Sequence, residues 1–594
     1  PMNPALRRAR NRQMVIFLLT CSGMILLLGR LYYWQVLQAH SGQDLAGRAN
    51  AEHTQSLILD APRGIIYDSQ GRILATNVVR DDVYIEPHLY SIDHTGKAQD
   101  DLNGLIQQIH KILPQVSVAS LVSNFAKDLW AIRVAVRIDP AQSQQLREQR
   151  LPYVFLAPRT WRVYPSGSLA AQILGYVTQN DGANHGVYGI EGLEDTLLTG
   201  RPGAATVETD LQGNPLTVGV NNQQPAVDGA DLTLTIDSNV EYMVETYLAK
   251  TVKELEAQSG AIVVLNARTG AVVAMAGYPT FDPNKYGEAY NLTGCLHTQQ
   301  VYFNPALYCA YEPGSTMKAV TMAAALDQGL ITPDTALDDR GCIGYSDAPT
   351  VCNWQNAAYG TETMTQVLIH SANVGASYVA HDILGVDRYY PYLARFGFSQ
   401  KIGLDGSEQA GYYRVPCGHG WSPCNKDWTM SDLTRQAFGQ SIVATPLQVA
   451  QAYQAIANGG VMMRPYLITS VNNNGQVTTT QPTVKRRVIS QESSQLLTEM
   501  LTQAAHYGTG QLAQVPGYSI AAKTGTATTQ GISADQTEAS MAGFIPASNP
   551  QFVILVKLDR PQKNIYGSTA AAPLWGQIAQ QLMWYYSVPP DLQS

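Results

Sequence analysis

Charge is scarce in this sequence. Lys, Arg, Asp and Glu together make up 14 % of the 594 residues and leave a formal net charge of -8. No basic stripe is available to displace counterions from phosphates, which argues against a nucleic-acid partner. Repeats and low-complexity tracts are also missing, so the chain is no repeat array. Disorder on a large scale is excluded by a hydrophobic share of 45 %. A single core does not suffice at this length, and two or more domains are expected.

Acids are absent before residue 13, where Arg7, Arg8, Arg10 and Arg12 cluster. The apolar run MVIFLLTCSGMILLLGRLYYWQVL follows from Met14 to Leu37. As a helix its positions span ~36 Å, enough to cross a bilayer with some tilt. Arg30 can snorkel at the outer end, where Tyr32, Tyr33 and Trp34 make an interfacial belt. The expectation is a cytoplasmic tail over 1–13, a transmembrane anchor over 14–37 and everything later outside the cell membrane. The competing reading is a cleaved signal peptide. Its small-residue site, Ala49-Asn50-Ala51, is separated from the run by Arg30, Asp44 and Arg48, which favours the anchor.

Of the seven cysteines, Cys21 falls within the anchor. The other six form local pairs in loop-like sequence: Cys295 with Cys309, Cys342 with Cys352, and Cys417 with Cys424. Three short-range disulfides in an oxidising compartment are expected, with connectivity open. A metal site at Cys417, His419 and Cys424 is the rival reading, but no fourth ligand is evident nearby.

Residues 38–225 mix short strand-like and helical pieces. APRGIIYDSQGRILATN (61–77) reads as a hairpin, with IIYD and RILA flanking Ser69-Gln70-Gly71. DGADLTLTIDSN (228–239) gives a turn, an alternating strand and a helix cap at Asp237 or Ser238. Residues 226–590 read as one large domain. NVEYMVETYLAKTVKELE has helical periodicity, and AIVVLN and AVVAMAG flank the turn Ala267-Arg268-Thr269-Gly270 as antiparallel strands. YSIAAKTGTA, ASMAGFIPA and FVILVKLD supply three more strands. About 240 residues rich in helical signals separate the two groups, so the helices arrive as a long insertion into an antiparallel sheet. A terminal amphipathic helix, PLWGQIAQQLMWYY, would cover that sheet. NNNGQVTTTQPT (472–483) reads only as an exposed turn region.

Within YEPGSTMKAV (311–320), Ser315 and Lys318 form the sequence's one S-x-x-K, on one helix face. Pro313 and Gly314 place the serine at the first turn, where free N–H groups can stabilise an oxyanion. A lysine is a poor base at its ordinary pKa of ~10.4, so Lys318 needs burial and a second cation nearby. Ser371-Ala372-Asn373 offers a hydroxyl to relay a proton and an amide to orient the lysine, if the chain turns there. Ser470-Val471-Asn472 matches the same pattern and is a control for chance, and His370 is read as structural. Lys523-Thr524-Gly525-Thr526 supplies the second cation and two hydroxyls for a carboxylate. Gly525 removes a side chain where another molecule's backbone comes close, fitting a substrate added as a strand. S-x-x-K, S-x-N and K-T-G occur in that order in one domain, the set associated with penicillin-binding proteins and class A β-lactamases.

With YEPGSTMK, HSANVG and KTGTA in these places, and RGIIYDSQGRILA and GIEGLEDTLLTG before them, the chain resembles a class B penicillin-binding protein over nearly its whole length. SANVGAS, FGQSIVATPLQVAQAYQAIANGG and YGSTAAAPLW are more similar to the cell-division transpeptidase than to the elongation one. The cysteine pairs and Met317 depart from the usual pattern. The resemblance implies an α+β fold: an N-terminal transmembrane helix, a mixed α/β pedestal or dimerisation-like domain (38–225), and a transpeptidase domain with a five-stranded antiparallel sheet flanked by helices (226–590). It also implies that Ser315, activated by Lys318, attacks stem peptides ending in D-Ala-D-Ala. Ser371 would relay a proton, Asn373 hold lysine and donor amide, Lys523 bias the field, and Thr524 and Thr526 grip the carboxylate. The N–H groups of Ser315 and Thr526 would form the oxyanion hole. β-Lactams would acylate Ser315, no cofactor or metal is implied, and the partners would be a SEDS-type membrane glycosyltransferase and other division proteins. The alternatives are an elongation-type enzyme, a β-lactamase, and a β-lactam sensor or non-catalytic scaffold. A bifunctional class A synthase is disfavoured, because 38–225 carries no acidic glycosyltransferase motifs.

Overall fold

A computed structural model describes residues 4–33, 54–59, 61–93, 99–180, 183–209, 215–295, 300–528 and 536–592. Two compact units divide the chain: 1–61 with 200–228, and 62–199 with 229–594. In the first unit the helix Pro4–Tyr32 starts ahead of Met14. Its part Arg10–Tyr32 is long and apolar enough to cross a membrane, and none of that stretch is buried in protein. Trp34 to Leu37, the end of the expected anchor, lie outside the described residues. Thr54–Leu59, Gly203–Thr209 and Pro215–Gln224 form a three-stranded antiparallel sheet in the same unit.

The second unit opens with the expected hairpin, Ile66–Tyr67 against Ile73–Ile85. Asp68 shapes its turn, accepting from the N–H groups of Gln70 and Arg72 at 2.9 and 2.8 Å. The long second strand continues against Val154–Val163 and Ile132–Ala135, and the helices Gln99–Ile112, Val118–Phe125 and Pro140–Gln149 bury its apolar face. A buried ion cluster ties APRG to GIEGLED: Arg63 and Arg162 each donate to Glu191 at 2.6 Å. Both oxygens of that carboxylate are paired, which burial of an ion demands.

The strand Asp231–Leu234 joins this first sheet, parallel to Ile66–Tyr67. On its other side lies Ile468–Asn473, paired in turn with Gln476–Thr479. The stretch expected as an exposed turn region is thus a β-hairpin. Its turn is Asn474-Gly475, with φ of 52° and 92°, the geometry that an Asn-Gly pair adopts between antiparallel strands. Flanking strands this polar show no alternation, and only the dipeptide marked them.

The second sheet runs Val272–Tyr278, Ser259–Asn266, Phe552–Asp559, Thr537–Ile545, Ala521–Thr528, antiparallel throughout. Helices Ser238–Glu254 and Ala571–Tyr585 cover one face. The other face meets Lys318–Asp327 and Pro446–Ala457. Burial on both faces explains why the strand opens with the unbroken apolar run FVILV: every residue of Phe552–Asp559 is buried, and the charged Lys557 and Asp559 pair with each other. Asp237 caps the first of these helices, accepting from the Asn239 N–H at 3.0 Å.

Candidate active site

Ser315 sits in a 3-10 turn, Gly314–Met317, and the α-helix proper begins at Lys318. The turn is clamped from several sides. Thr316 Oγ1 donates to the Pro313 carbonyl at 2.9 Å, and Tyr453 donates to the Thr316 carbonyl at 2.9 Å. Gly314 has φ of 59°, and Gly439 lies so close that a Cβ there would stand 2.0 Å from the Gly314 oxygen. Among residues 313–318 only Ser315 is not buried. The clamp therefore presents one hydroxyl to the cleft.

Lys318 is fully buried. Its Nζ donates to Asn373 Oδ1 at 2.8 Å, to Ser371 Oγ at 3.3 Å and to the Ser371 carbonyl. Ser371 terminates the helix Met364–His370 in the left-handed region, with φ of 57°, and Asn373 opens the helix Asn373–Tyr378. The turn that S-x-N requires is this corner between helices. By contrast the control, Ser470-Val471-Asn472, lies in the strand Ile468–Asn473.

Lys523 lies on the edge strand Ala521–Thr528, also buried, and donates to Thr509 Oγ1 at 3.3 Å and to the Thr524 carbonyl at 3.3 Å. The hydroxyls of Thr509 and Thr524 are 2.5 Å apart. Thr526 Oγ1 accepts from the Gly567 N–H at 2.9 Å. A Cβ on Gly525 would stand 2.4 Å from the Pro313 carbonyl oxygen. The glycine is thus required by this chain's own turn, the one that carries Ser315, and not only by an incoming backbone. The backbone N of Thr526 adjoins Gly314, since a Cβ on that glycine would lie 3.1 Å from it.

Electrostatics follow from the packing. Burial pushes Lys318 well below the ordinary lysine range, Lys523 pushes it further, and Glu362 opposes them. Lys523 is itself lowered to about 7 by burial. Glu362 is raised to about 8 by burial and by Asp339 beside it, with Lys318 pulling the other way. His370 contacts Glu362 at 3.0 Å and stacks on Tyr359.

Thr509, Glu362 and the Cys352 carbonyl, which accepts from Asn373 Nδ2 at 3.2 Å, are site residues that the sequence did not point to. Thr509 sits in HYGTG, with no pattern around it, and a backbone carbonyl carries no residue signal. All three expected cysteine pairs are bonded. Cys417 and Cys424 are therefore spent on each other, and His419 pairs with Asp387 at 2.6 Å, so the alternative metal set does not assemble.

Comparison with known families finds a penicillin-binding protein transpeptidase domain over residues 260–583 and a penicillin-binding protein dimerisation domain over 58–234. The chain belongs to the class B penicillin-binding proteins. Among penicillin-binding relatives, PbpB of Mycolicibacterium smegmatis is 34 % identical over 77 % of this chain and 70 % of its own length. Peptidoglycan D,D-transpeptidase FtsI of Escherichia coli is 28 % identical over 97 % of this chain and 92 % of that one. Stage V sporulation protein D of Bacillus subtilis is 28 % identical over 98 % and 86 %. Penicillin-binding protein 3 of Mycobacterium tuberculosis, solved with aztreonam, superposes with a TM-score of 0.65 at 28 % identity, covering 90 % of this chain and 98 % of that one.

Proposed function

We propose that this penicillin-binding protein is a serine-type peptidoglycan DD-transpeptidase of septal wall synthesis, with Ser315 as nucleophile and Lys318 as its base. The observation that carries the assignment is the environment of Lys318: a fully buried amine, held by Ser371 and Asn373, with a second lysine lowering its proton affinity. Such an amine gives up its proton more readily than an ordinary lysine, and once neutral it can take the proton of a neighbouring hydroxyl.

Ser315 Oγ attacks the carbonyl carbon of the penultimate D-Ala and gives its proton to Lys318 Nζ. The oxyanion rests on the N–H groups of Ser315 and Thr526, a donor pair worth ~3 kcal/mol of barrier per donor. Collapse breaks the peptide bond, and the departing D-Ala amine takes a proton relayed from Lys318 through Ser371. Lys523, Thr524 and Thr526 hold the terminal carboxylate. An acceptor amine from a neighbouring stem peptide then attacks the Ser315 ester, passes a proton back through the same groups and forms the cross-link. A β-lactam opens on Ser315 by the first half of this sequence; the mycobacterial protein solved with aztreonam and with ampicillin supports that reading.

The functional division we propose is a tail over 1–13, an inner-membrane anchor over 14–37, a pedestal over 38–225 and an extracytoplasmic transpeptidase domain over 226–590. A SEDS-type glycosyltransferase and other division proteins would be its partners, the former supplying glycan strands to cross-link. The names of the FtsI relatives support division over elongation. A tagged copy confined to the lateral wall would reverse that choice.

Fluorescent penicillin tests the chemistry. It should label the full chain stoichiometrically, and Ser315→Ala should abolish labelling. Labelling that persists in that variant overturns the nucleophile assignment, and repeated turnover of drug would mark a β-lactamase instead.

A further inference from the structure

The bonded pair Cys342 and Cys352 stands directly behind the site. These residues face each other in register across two strands of two residues each, Cys342–Ile343 and Val351–Cys352. A hairpin that short does not hold its own shape in water. Its last residue nevertheless makes a contact on which the site depends: the Cys352 carbonyl accepts from Asn373 Nδ2 at 3.2 Å.

That contact sets an orientation as well as a place. A carbonyl can only accept, so the NH2 of Asn373 must face Cys352, leaving Oδ1 to accept from Lys318 at 2.8 Å. With the amide turned over, its NH2 would meet the Lys318 nitrogen and its oxygen would meet a carbonyl, and both bonds would be lost. The next residue continues the support. Asn353 Oδ1 accepts from the Val374 N–H at 3.0 Å, and its Nδ2 donates to Asp339 at 2.7 Å. The hairpin end is thus held by Asn353 on one side and by the disulfide on the other.

We propose that the Cys342–Cys352 disulfide is a positioning device for acylation: it fixes the carbonyl that orients Asn373 and, through Asn373, the nitrogen of Lys318. The inference rests on the reading of Ser315 and Lys318 given above. Serine at 352 would keep the backbone acceptor, so what the disulfide adds is its location alone. An acceptor on the Lys318 nitrogen also favours the ammonium form. Loosening it lowers the proton affinity of Lys318 further, while Lys523 and Glu362, the charged groups facing it, stay in place.

The test uses the full chain in detergent and a fluorescent penicillin, with binding and acylation separated over a pH series. Wild type, Cys342→Ser/Cys352→Ser, Cys417→Ser/Cys424→Ser and Ser315→Ala are compared. Among the described residues no hydrogen bond joins Cys417 or Cys424 to Lys318, Ser371 or Asn373, so that pair controls for general loosening. Opening Cys342–Cys352 should lower the acylation step by about ten- to a hundredfold, the range of a misplacement near 1 Å. Drug binding should change little, and the acid limb of the rate profile should move to lower pH. The control pair should lower the melting temperature only. An unchanged acylation step, an unmoved acid limb, or an equal loss in the control overturns the proposal. If the serine variant does not fold, wild type reduced and mapped at Cys342 and Cys352 serves instead: the rate must fall on reduction and return on reoxidation. Labelling that survives Ser315→Ala would refute the nucleophile assignment instead, a result distinct from wild-type acylation at Ser315 that ignores the cysteines.

Discussion

Replacing Gly525 by alanine perturbs the site by one methyl group whose collisions are known. The new Cβ would lie 2.4 Å from the Pro313 carbonyl oxygen, 2.5 Å from Ser540 Oγ and 3.1 Å from Thr316 Cγ2. A hydroxyl can rotate away, but the Pro313 oxygen is backbone of the turn that carries Ser315. That contact is about 0.9 Å short of the ~3.3 Å at which carbon and oxygen rest against each other. The strand is held in register on its far side by Thr537–Ile545, so turn and strand must part. They carry the two N–H groups, of Ser315 and Thr526, that we propose as the oxyanion hole. A separation approaching 1 Å lowers acylation by about 10²-fold, whereas overpacking of this kind costs about 1–3 kcal/mol of stability. Acylation by fluorescent penicillin and thermal melting, measured side by side, distinguish the two effects. Gly287→Ala is the control, since nothing lies within 4 Å of a Cβ there. A Gly525→Ala protein that acylates at the wild-type rate would refute the claim that this glycine spaces the oxyanion donors.

Three further outcomes follow from the same geometry. Lys523, held at about 7 by burial, loses its proton in the free enzyme as pH rises past neutrality, while a bound carboxylate restores it. The second-order acylation constant should therefore decline above about pH 7 and the limiting rate should not; on the acid side both should fall as Lys318 becomes protonated. Parallel alkaline limbs in a stopped-flow pH series would contradict this. Thr509→Val removes a hydroxyl shared by Lys523 and Thr524, and titration with a carboxylate-bearing β-lactam should show binding weakened by about 1–2 kcal/mol at an unchanged acylation step. Cys417→Ser/Cys424→Ser opens a loop of sequence separation 7 and should cost about 2 kcal/mol, read by denaturant unfolding, with acylation unaffected.

What the sequence made legible was local chemistry. S-x-x-K, S-x-N and K-T-G name their residues because each motif is short and its geometry is fixed by a turn, a helix corner or a strand. A second cation near Lys318 was likewise readable as an aid to lowering a lysine's proton affinity; Lys523 supplies it, with burial as the larger cause. Long-range contacts left no such trace. Thr509 reaches Lys523 and Thr524 because the chain just beyond the helix Gln491–Tyr507 docks beside the strand Ala521–Thr528, and one threonine hydroxyl in HYGTG signals nothing. Gly525 was read as making room for another molecule's backbone, and nothing in the sequence signalled that this chain's own Pro313 carbonyl also crowds it.

The hairpin at 468–479 shows the same limit at the level of the fold. A strand is recognisable when one face is apolar, and the side chains of Gln476–Thr479 are all exposed. Its partner, Ile468–Asn473, nonetheless completes the sheet begun by RGIIYD, through Asp231–Leu234. A sheet built from residues 66–85, 231–234 and 468–479 therefore binds the segment before the transpeptidase domain to the domain's own insertion by backbone hydrogen bonds, which are indifferent to side-chain identity. Those bonds explain why a division of the chain near 226, natural from composition, passes between strands of one sheet. They also explain why residues 62–199 and 229–594 form one compact unit, so that the turn carrying Ser315 and the sheet that opens at Ile66 share a continuous scaffold.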